Sequence, residues 1–206
     1  MQLDWRHLTV LLAYLLGSFP TALVYSRAAH RVDVRSLGDG NMGARNTKHQ
    51  FGFSAGMLVA LLDILKGALA VLIVRGVGLP TGWQVAGAGS VILGHDFPIF
   101  ARFKGGQGFA ATTGVFLAFF PFYTLLGFAV YCTLYLLLHN SDIAAGVGMG
   151  LVVLLVWLRE TSVLMLAFMV AALLFIPFKQ WLDHPRRVRL GIEEDTPETS
   201  KRHALK

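Results

Sequence analysis

The sequence has little of what a soluble or secreted domain needs. It contains a single cysteine, Cys132, which excludes a disulfide framework and is most simply a small core residue. Only 15% of its 206 residues are charged, whereas soluble domains average about 25%. Hydrophobic residues make up 55% of the chain, and long apolar runs recur along it. These features predict a polytopic membrane protein with no sizeable soluble domain.

The apolar runs divide into seven predicted membrane spans. Pro20 falls within the first run, so we expect the helix to kink or restart there. The run over 109–138 is too long for one ordinary span, and Pro121 divides it into two, the first of them short. The other predicted spans are residues 8–26, 53–74, 83–100, 142–158 and 162–178.

The basic residues orient these spans. With seven spans, 14 of the 18 lysines and arginines lie on one side, in 27–52, in 101–108 and in a charged tail from Lys179 onward. The positive-inside rule then predicts an N-terminus outside, a cytoplasmic C-terminus and an inner-membrane location. We expect one membrane domain over residues 1–191 and a disordered cytoplasmic tail over 192–206. Orientation accounts for the basic charge, so no nucleic-acid partner is predicted.

The first glycine loop, residues 38–46, has the sequence Gly-Asp-Gly-Asn-Met-Gly-Ala-Arg-Asn. Its glycines allow a tight turn whose N–H groups can approach an anion, and Arg45 can add a fork of donors. The loop also matches G-x-G-x-x-G, but that fingerprint requires a preceding strand, and here an apolar run precedes it. The composition favours a phosphate-binding loop, with a simple connecting loop as the alternative.

Two other polar clusters are predicted on the same side. One joins His95 to the second glycine loop, residues 104–108, and the other covers 184–189. Both suit anion binding, although connecting turns and lipid-anchoring residues would give a similar pattern. His95 could act as a general base or phosphate donor, or simply cap its helix. No metal site is predicted, because the histidines on this side lack partners at ligand spacing: His30, His49, His95, His139 and His184.

Charged residues and a glycine pair mark the second span. Asp63 and Lys66 are three residues apart and share one helix face. Charges within a span are costly, so these two either form a structural ion pair or face a polar cavity in which Lys66 meets a phosphate. Gly52 and Gly56 form a G-x-x-x-G, which permits close helix packing.

Taken together, these segments resemble the bacterial acyl-phosphate:glycerol-3-phosphate acyltransferases, membrane enzymes that make lysophosphatidic acid. Residues 17–22 look like the family's first-span motif, and 32–46 resembles D-I-R-x-x-G-S-G-N-x-G-A-T-N. Residues 62–67 are similar to L-D-x-x-K-G, and 94–108 resembles G-H-x-F-P-x-x-x-x-F-x-G-G-K-G. Motif order and spacing agree over residues 8–191.

The resemblance implies transfer of an acyl chain from acyl phosphate to the 1-hydroxyl of glycerol 3-phosphate, without a metal or organic cofactor. It implies catalytic roles for His95, Asn41 and Lys66. Phosphate would be bound by residues of both loops and the tail, namely Gly38, Asp39, Gly40, Gly43, Arg45, Asn46, Lys104, Gly105, Gly106, Gln107, His184 and Arg187.

Five polar positions depart from the family pattern. The family has serine, threonine, a basic residue, lysine and asparagine where this chain has Asp39, Arg45, His49, Gln107 and Arg187. The number of cations is roughly kept while their positions change, which leaves room for an altered phosphate substrate or for a non-catalytic relative. A small-anion transporter is a further alternative, with Asp63 and Lys66 lining its path. An ion pair between Asp39 and Arg45 would neutralise the acid.

Overall fold

The computed structural model describes residues 4–159 and 162–189, with the backbone alone for 184–189. The described part is all helical and contains no strand, as predicted, so the first glycine loop is not part of a dinucleotide-binding βαβ unit. The predicted tail over 192–206 lies outside the described residues. The α-helices are α1 (Trp5–Gly17), α2 (Thr21–His30), α3 (Ala44–Phe51), α4 (Phe53–Gly76), α5 (Thr81–Asp96), α6 (Phe109–Phe119), α7 (Pro121–Leu138), α8 (Ser141–Trp157) and α9 (Val163–Arg189).

Four helical stretches are long and apolar enough to cross a membrane: α1 with α2, α4, α7, and α9 as far as Asp183. Helices α6 and α8 are apolar but shorter. The expected break at Pro20 is confirmed, since α1 ends at Gly17 and α2 begins at Thr21. Pro121 is the first residue of α7, where the missing N–H removes no helical hydrogen bond.

Large apolar side chains point outward from these helices. Phe122 is 73% exposed, and Leu136 and Leu137 are each 71% exposed. An apolar surface of this extent is unfavourable in water and suits contact with lipid chains.

Glycines bring neighbouring helices into backbone contact. A methyl group on Gly67 of α4 would overlap the carbonyl of Ala111 on α6, and one on Gly114 would overlap the carbonyl of Ile64. Small residues allow this approach, and dispersion contacts then hold the pair in an apolar environment. Similar contacts join α1 to α5 through Gly17 and Gly94, and α7 to α8 through Gly127 and Gly148.

The predicted close packing at the start of the second span is confirmed for Gly56, which lies against the Ala44 carbonyl and the Lys48 side chain of α3. Gly52 instead separates α3 from α4, at a φ of 92° that favours glycine.

Helix α9 extends beyond the predicted span. We expected the span to end at Phe178 and a soluble tail to start at Lys179, and this boundary is wrong, because the helix continues to Arg189. Lys179 is only 1% exposed. Its ammonium group pairs with Asp183 one turn later, and this pairing lets a charged residue remain inside the helix bundle.

Candidate functional site

Asp63, Lys66 and His95 meet in one buried cluster between α4 and α5. The Lys66 Nζ atom lies 2.9 Å from Asp63 Oδ1, and the two side chains are 7% and 2% exposed. The same oxygen accepts a hydrogen bond of 2.9 Å from the Thr21 hydroxyl. His95 Nδ1 lies 3.6 Å from it. The ion pair predicted from the spacing is therefore present, and His95 lies beside it.

Lys66 also contacts the backbone. Its ammonium donates to the carbonyl of Phe19 at 3.0 Å, in the break between α1 and α2. An ammonium group has three N–H donors, so Asp63 and Phe19 leave one for a further acceptor. The ion-pair cluster opens into a small pocket, which is lined by Phe19, Pro20, Thr21, Met42, Asp63, Lys66, His95, Pro98 and Gly106.

Asn46 holds the first glycine loop together from within. Its side-chain nitrogen donates to the carbonyls of Val34, Leu37 and Asn41 at 3.3, 3.1 and 3.0 Å. Asn46 is only 3% exposed. Because these carbonyls occupy its donors, Asn46 fixes the path of the loop in this structure.

The glycines of this loop have the conformations that a tight turn needs. Gly38 and Gly40 have φ values of 50° and 68°, and Gly43 immediately precedes α3. The Asp39 carboxylate accepts from the backbone N–H of Asn41 at 2.9 Å. The side-chain oxygen of Asn41 is buried and has no hydrogen-bond partner within the described part of the chain. This buried acceptor lies next in sequence to Met42, which lines the pocket.

The second glycine loop packs on the end of α5. The backbone N–H of Gly106 donates to the His95 carbonyl at 3.1 Å. A methyl group on Gly106 would overlap the His95 ring at Nε2, and one on Gly105 would overlap the carbonyls of His95 and Asp96. Gly108 precedes α6 with a φ of 75°. The loop and the His95 ring are therefore fixed relative to each other.

Arg35, which was not among the predicted site residues, connects the two loop regions. It donates to the Ala101 carbonyl at 3.0 Å and pairs with Asp33 through Nε and Nη2 at 2.9 and 2.6 Å. The side-chain hydrogen bond from Arg35 is the main cause that holds the pKa of Asp33 well below its ordinary value. The D-I-R pattern in the sequence marked this position, but the backbone partner lies in the other loop.

Other predicted phosphate ligands lie away from these contacts. Arg45 is 46% exposed and pairs with Asp142 at 3.0 Å, so the expected pairing with Asp39 is wrong. Asp142 caps the other side of this contact from the first turn of α8. Lys104 is exposed and Gln107 is half-buried. The side chains of His184 and Arg187 lie outside the described residues.

Residues 52–56 match the serine-nucleophile pattern G-x-S-x-G. That motif needs a strand before the serine and a helix after it. Here α3 precedes Ser54, which is exposed at the start of α4. The match therefore has no nucleophile context.

Comparison with known proteins agrees with this arrangement. The family model described as glycerol-3-phosphate acyltransferase matches residues 7–187. The glycerol-3-phosphate acyltransferase of Geotalea daltonii is 35% identical over 181 residues, 88% of this chain and 92% of the relative. That of Prochlorococcus marinus strain NATL1A is 33% identical over 186 residues, 89% of this chain and 93% of the relative.

Two solved structures share the fold. The crystal structure of PlsY (YgiH), an integral membrane glycerol 3-phosphate acyltransferase, in its glycerol 3-phosphate form gives a TM-score of 0.82 at 28% identity, covering 96% of this chain and 98% of that one. The lysophosphatidic acid form gives 0.78 at 27% identity, covering 93% and 95%. Sequence and fold lead to the same assignment: the chain belongs to the glycerol-3-phosphate acyltransferase family.

Proposed function

We propose that this membrane acyltransferase moves an acyl chain from acyl phosphate to the 1-hydroxyl of glycerol 3-phosphate, forming lysophosphatidic acid and releasing phosphate. The observation that carries the proposal is the buried Asp63–Lys66–His95 cluster, which opens into a pocket bounded by both glycine loops in a chain of this family. Glycerol 3-phosphate and lysophosphatidic acid are also the molecules named for the two PlsY structures.

The reaction needs alignment more than covalent catalysis. The hydroxyl oxygen attacks the acyl carbonyl carbon, the bond from that carbon to the phosphate oxygen breaks, and phosphate leaves with the electron pair. Acyl phosphate is already activated, so no enzyme-bound acyl intermediate is needed. The site therefore has to align two anions and stabilise charge on the leaving phosphate.

In this proposal His95 is the general base. Its Nδ1 faces Asp63 and its Nε2 faces Gly106, so the ring is oriented with one nitrogen toward the second loop. Nε2 takes the hydroxyl proton, unless a phosphate oxygen of the substrate accepts it. The remaining N–H of Lys66 binds phosphate, and the unpartnered oxygen of Asn41 accepts from a substrate hydroxyl.

Phosphate binding rests on the backbone N–H groups of both loops, at residues 38–43 and 105–108, as the loops' tight turns suggest. Exposed Lys104 and half-buried Gln107 complete the second loop's contribution. Arg45 takes part only after exchanging Asp142 for phosphate, since its guanidinium is occupied by that carboxylate. His184 and Arg187 belong to the proposed set through the family resemblance alone.

We propose seven spans: α1 with α2, α4, α5, α6, α7, α8 and α9. The N-terminus lies outside, and the C-terminus and the active site face the cytoplasm across the inner membrane. The concentration of basic residues in 27–52, in 101–108 and near the C-terminus supports this orientation.

The test is an assay of the purified protein with acyl phosphate and labelled glycerol 3-phosphate. Lysophosphatidate should form, and Lys66→Ala and Asn41→Ala should each remove most of it. Arg75→Ala is a matched control on α4, since Arg75 donates to the Ala118 carbonyl rather than to the pocket. No product with any acyl phosphate or polyol phosphate would contradict the proposal.

The departures from the family pattern have their own test. The double variant Asp39→Ser with Gln107→Lys restores the family residues in both loops. Higher activity would indicate a weakened family site, whereas a loss would indicate a site adapted to another phosphate substrate. Replacing glycerol 3-phosphate with other polyol phosphates in the same assay separates these outcomes.

A further inference from the structure

Lys179 is a buried charge that the proposed reaction does not use. It lies in the stretch of α9 that is apolar and long enough to span a membrane, and it is 1% exposed. Ionisable groups inside a span are costly and usually face a partner or a functional cavity. So complete a burial also excludes a lipid head-group anchor, since the ammonium would have to reach the surface.

The surroundings of Lys179 belong to the end of α5. Its ammonium lies 5.1 Å from the centre of the Phe97 ring. Asp183 on the same helix hydrogen-bonds to it. Next to Phe97, Asp96 is fully buried, and neither of its carboxylate oxygens has a hydrogen-bond partner in the part of the chain described. Among the charged side chains, Lys179 acts most strongly on the Asp96 carboxylate.

Asp96 lies directly behind the second glycine loop. Its carbonyl is one of the groups that a methyl on Gly105 would overlap, and its carboxylate faces Gly108. His95, the preceding residue, receives the hydrogen bond from Gly106. A shift of Asp96 therefore moves both the His95 ring and the loop that faces it.

We propose that Lys179 is a positioning residue for acyl transfer: by balancing the Asp96 carboxylate and packing on Phe97, it fixes the α5 end that carries His95 and supports Gly106. This inference rests on the proposed function. Lys179 does not touch the reacting atoms and acts through His95. Asp183 orients the ammonium and, with its side chain 21% exposed, keeps access to water.

Stability alone does not account for this arrangement. Replacing a buried ion pair by well-packed apolar residues is often neutral or stabilising, because both charges lose their hydration. Removing one partner alone is costly, since the other charge is left uncompensated. The charge balance thus makes a specific prediction about single and double variants.

The test compares Lys179→Met, Asp96→Asn and the double variant in the acyl-transfer assay, with each rate expressed per folded molecule. We expect Lys179→Met to lower kcat about tenfold or more, with a much smaller change in KM for glycerol 3-phosphate, because a catalytic group is displaced. Adding Asp96→Asn to Lys179→Met should recover a large part of the loss. Gln180→Met, on the adjacent position of α9, is the matched control and should retain wild-type kinetics.

Wild-type kcat in Lys179→Met would overturn the inference and leave the proposed function intact. So would a loss that Asp96→Asn does not relieve, or a lower melting temperature with unchanged kcat per folded molecule. Absence of lysophosphatidate from the wild-type protein would reject the proposed function and this inference together.

Discussion

The first glycine loop is held by a side chain, whereas the second is held by its own backbone. Asn46 gathers three carbonyls of the segment that precedes it. Gly105 and Gly106 instead lie on the carbonyls and the ring at the end of α5, with no room for a methyl group. The first loop therefore depends on one amide, and the second depends on the absence of side chains.

This difference bears on the departures from the family pattern. Asp39 and Arg45 change the first loop where their side chains face a backbone N–H and an exposed partner, so the loop's own hydrogen bonds are kept. In the second loop, Gln107 changes while Gly105, Gly106 and Gly108 remain. In both loops the polar positions vary around a framework that stays in place.

Gly105→Ala should give the largest effect of the substitutions that test this comparison. Its methyl group would overlap two carbonyls and the Pro98 ring, which cannot move without shifting His95. We expect a loss of about 100-fold in kcat/KM, the scale of a displacement of about 1 Å at a reacting centre. Initial rates of lysophosphatidate formation measure it. Gly82→Ala, in the first turn of α5 with open space around it, should be near wild type. Equal rates for both variants would show that the second loop is free to move.

Asn46→Ala should come next, chiefly through stability. Three carbonyls lose a donor, and leaving buried polar groups unsatisfied costs about 1–3 kcal/mol. The melting temperature in detergent should fall by several degrees, with a parallel loss of activity. Gln50→Ala is a control from the exposed side of the same helix. If both variants melt like the wild type, another group must hold the first loop.

Asp33→Asn should reveal the strut between the loops through pH. The pKa of Asp33 is held low in the folded protein, mainly by its hydrogen bond from Arg35, so its contribution to stability is present above the unfolded pKa of about 3.9 and is lost as the pH falls through the folded pKa. Wild type should melt above Asp33→Asn at neutral pH, and the gap should close in acid. Arg27→Gln, which removes only the more exposed partner, should keep most of this gap. A gap that does not change with pH would contradict the strut.

Asp142→Asn should have the smallest effect. The Arg45–Asp142 pair is largely exposed, and such pairs contribute about 0.2–1 kcal/mol. A double-mutant cycle with Arg45→Ala, read by melting temperature at low and high salt, should give a small coupling that salt weakens further. A larger coupling that resists salt would mean that this contact anchors the first loop as firmly as Asn46 does.

Some of these features could be read from sequence because they depend on spacing along one element. The Asp63–Lys66 pair follows from helical periodicity, and the break at Pro20 follows from proline chemistry. The helix boundaries around Pro121 were predicted for the same reason.

Other features depend on where distant segments meet. The partners of Asn46 are carbonyls, which every residue carries, so no side-chain pattern marks them. Arg45 was assigned to Asp39 because they are close in sequence, but its partner Asp142 comes from α8. Lys179 was taken as the start of the tail because a charge after an apolar run usually ends a span. Its burial depends on contacts with Phe97 and Asp96 that only the fold brings near.

The break between α1 and α2 has a further consequence for how this site can be studied. The Phe19 carbonyl that accepts from Lys66 is a main-chain atom, and the break leaves it free to do so. Alanine scanning replaces side chains and would leave this acceptor unchanged, so the scan would register Phe19 as unimportant. An insertion or a helix-restoring change at Pro20 would remove the acceptor while every side chain of the ion-pair cluster remained. Backbone edits, rather than side-chain scans, are therefore the measure of what this interrupted helix contributes.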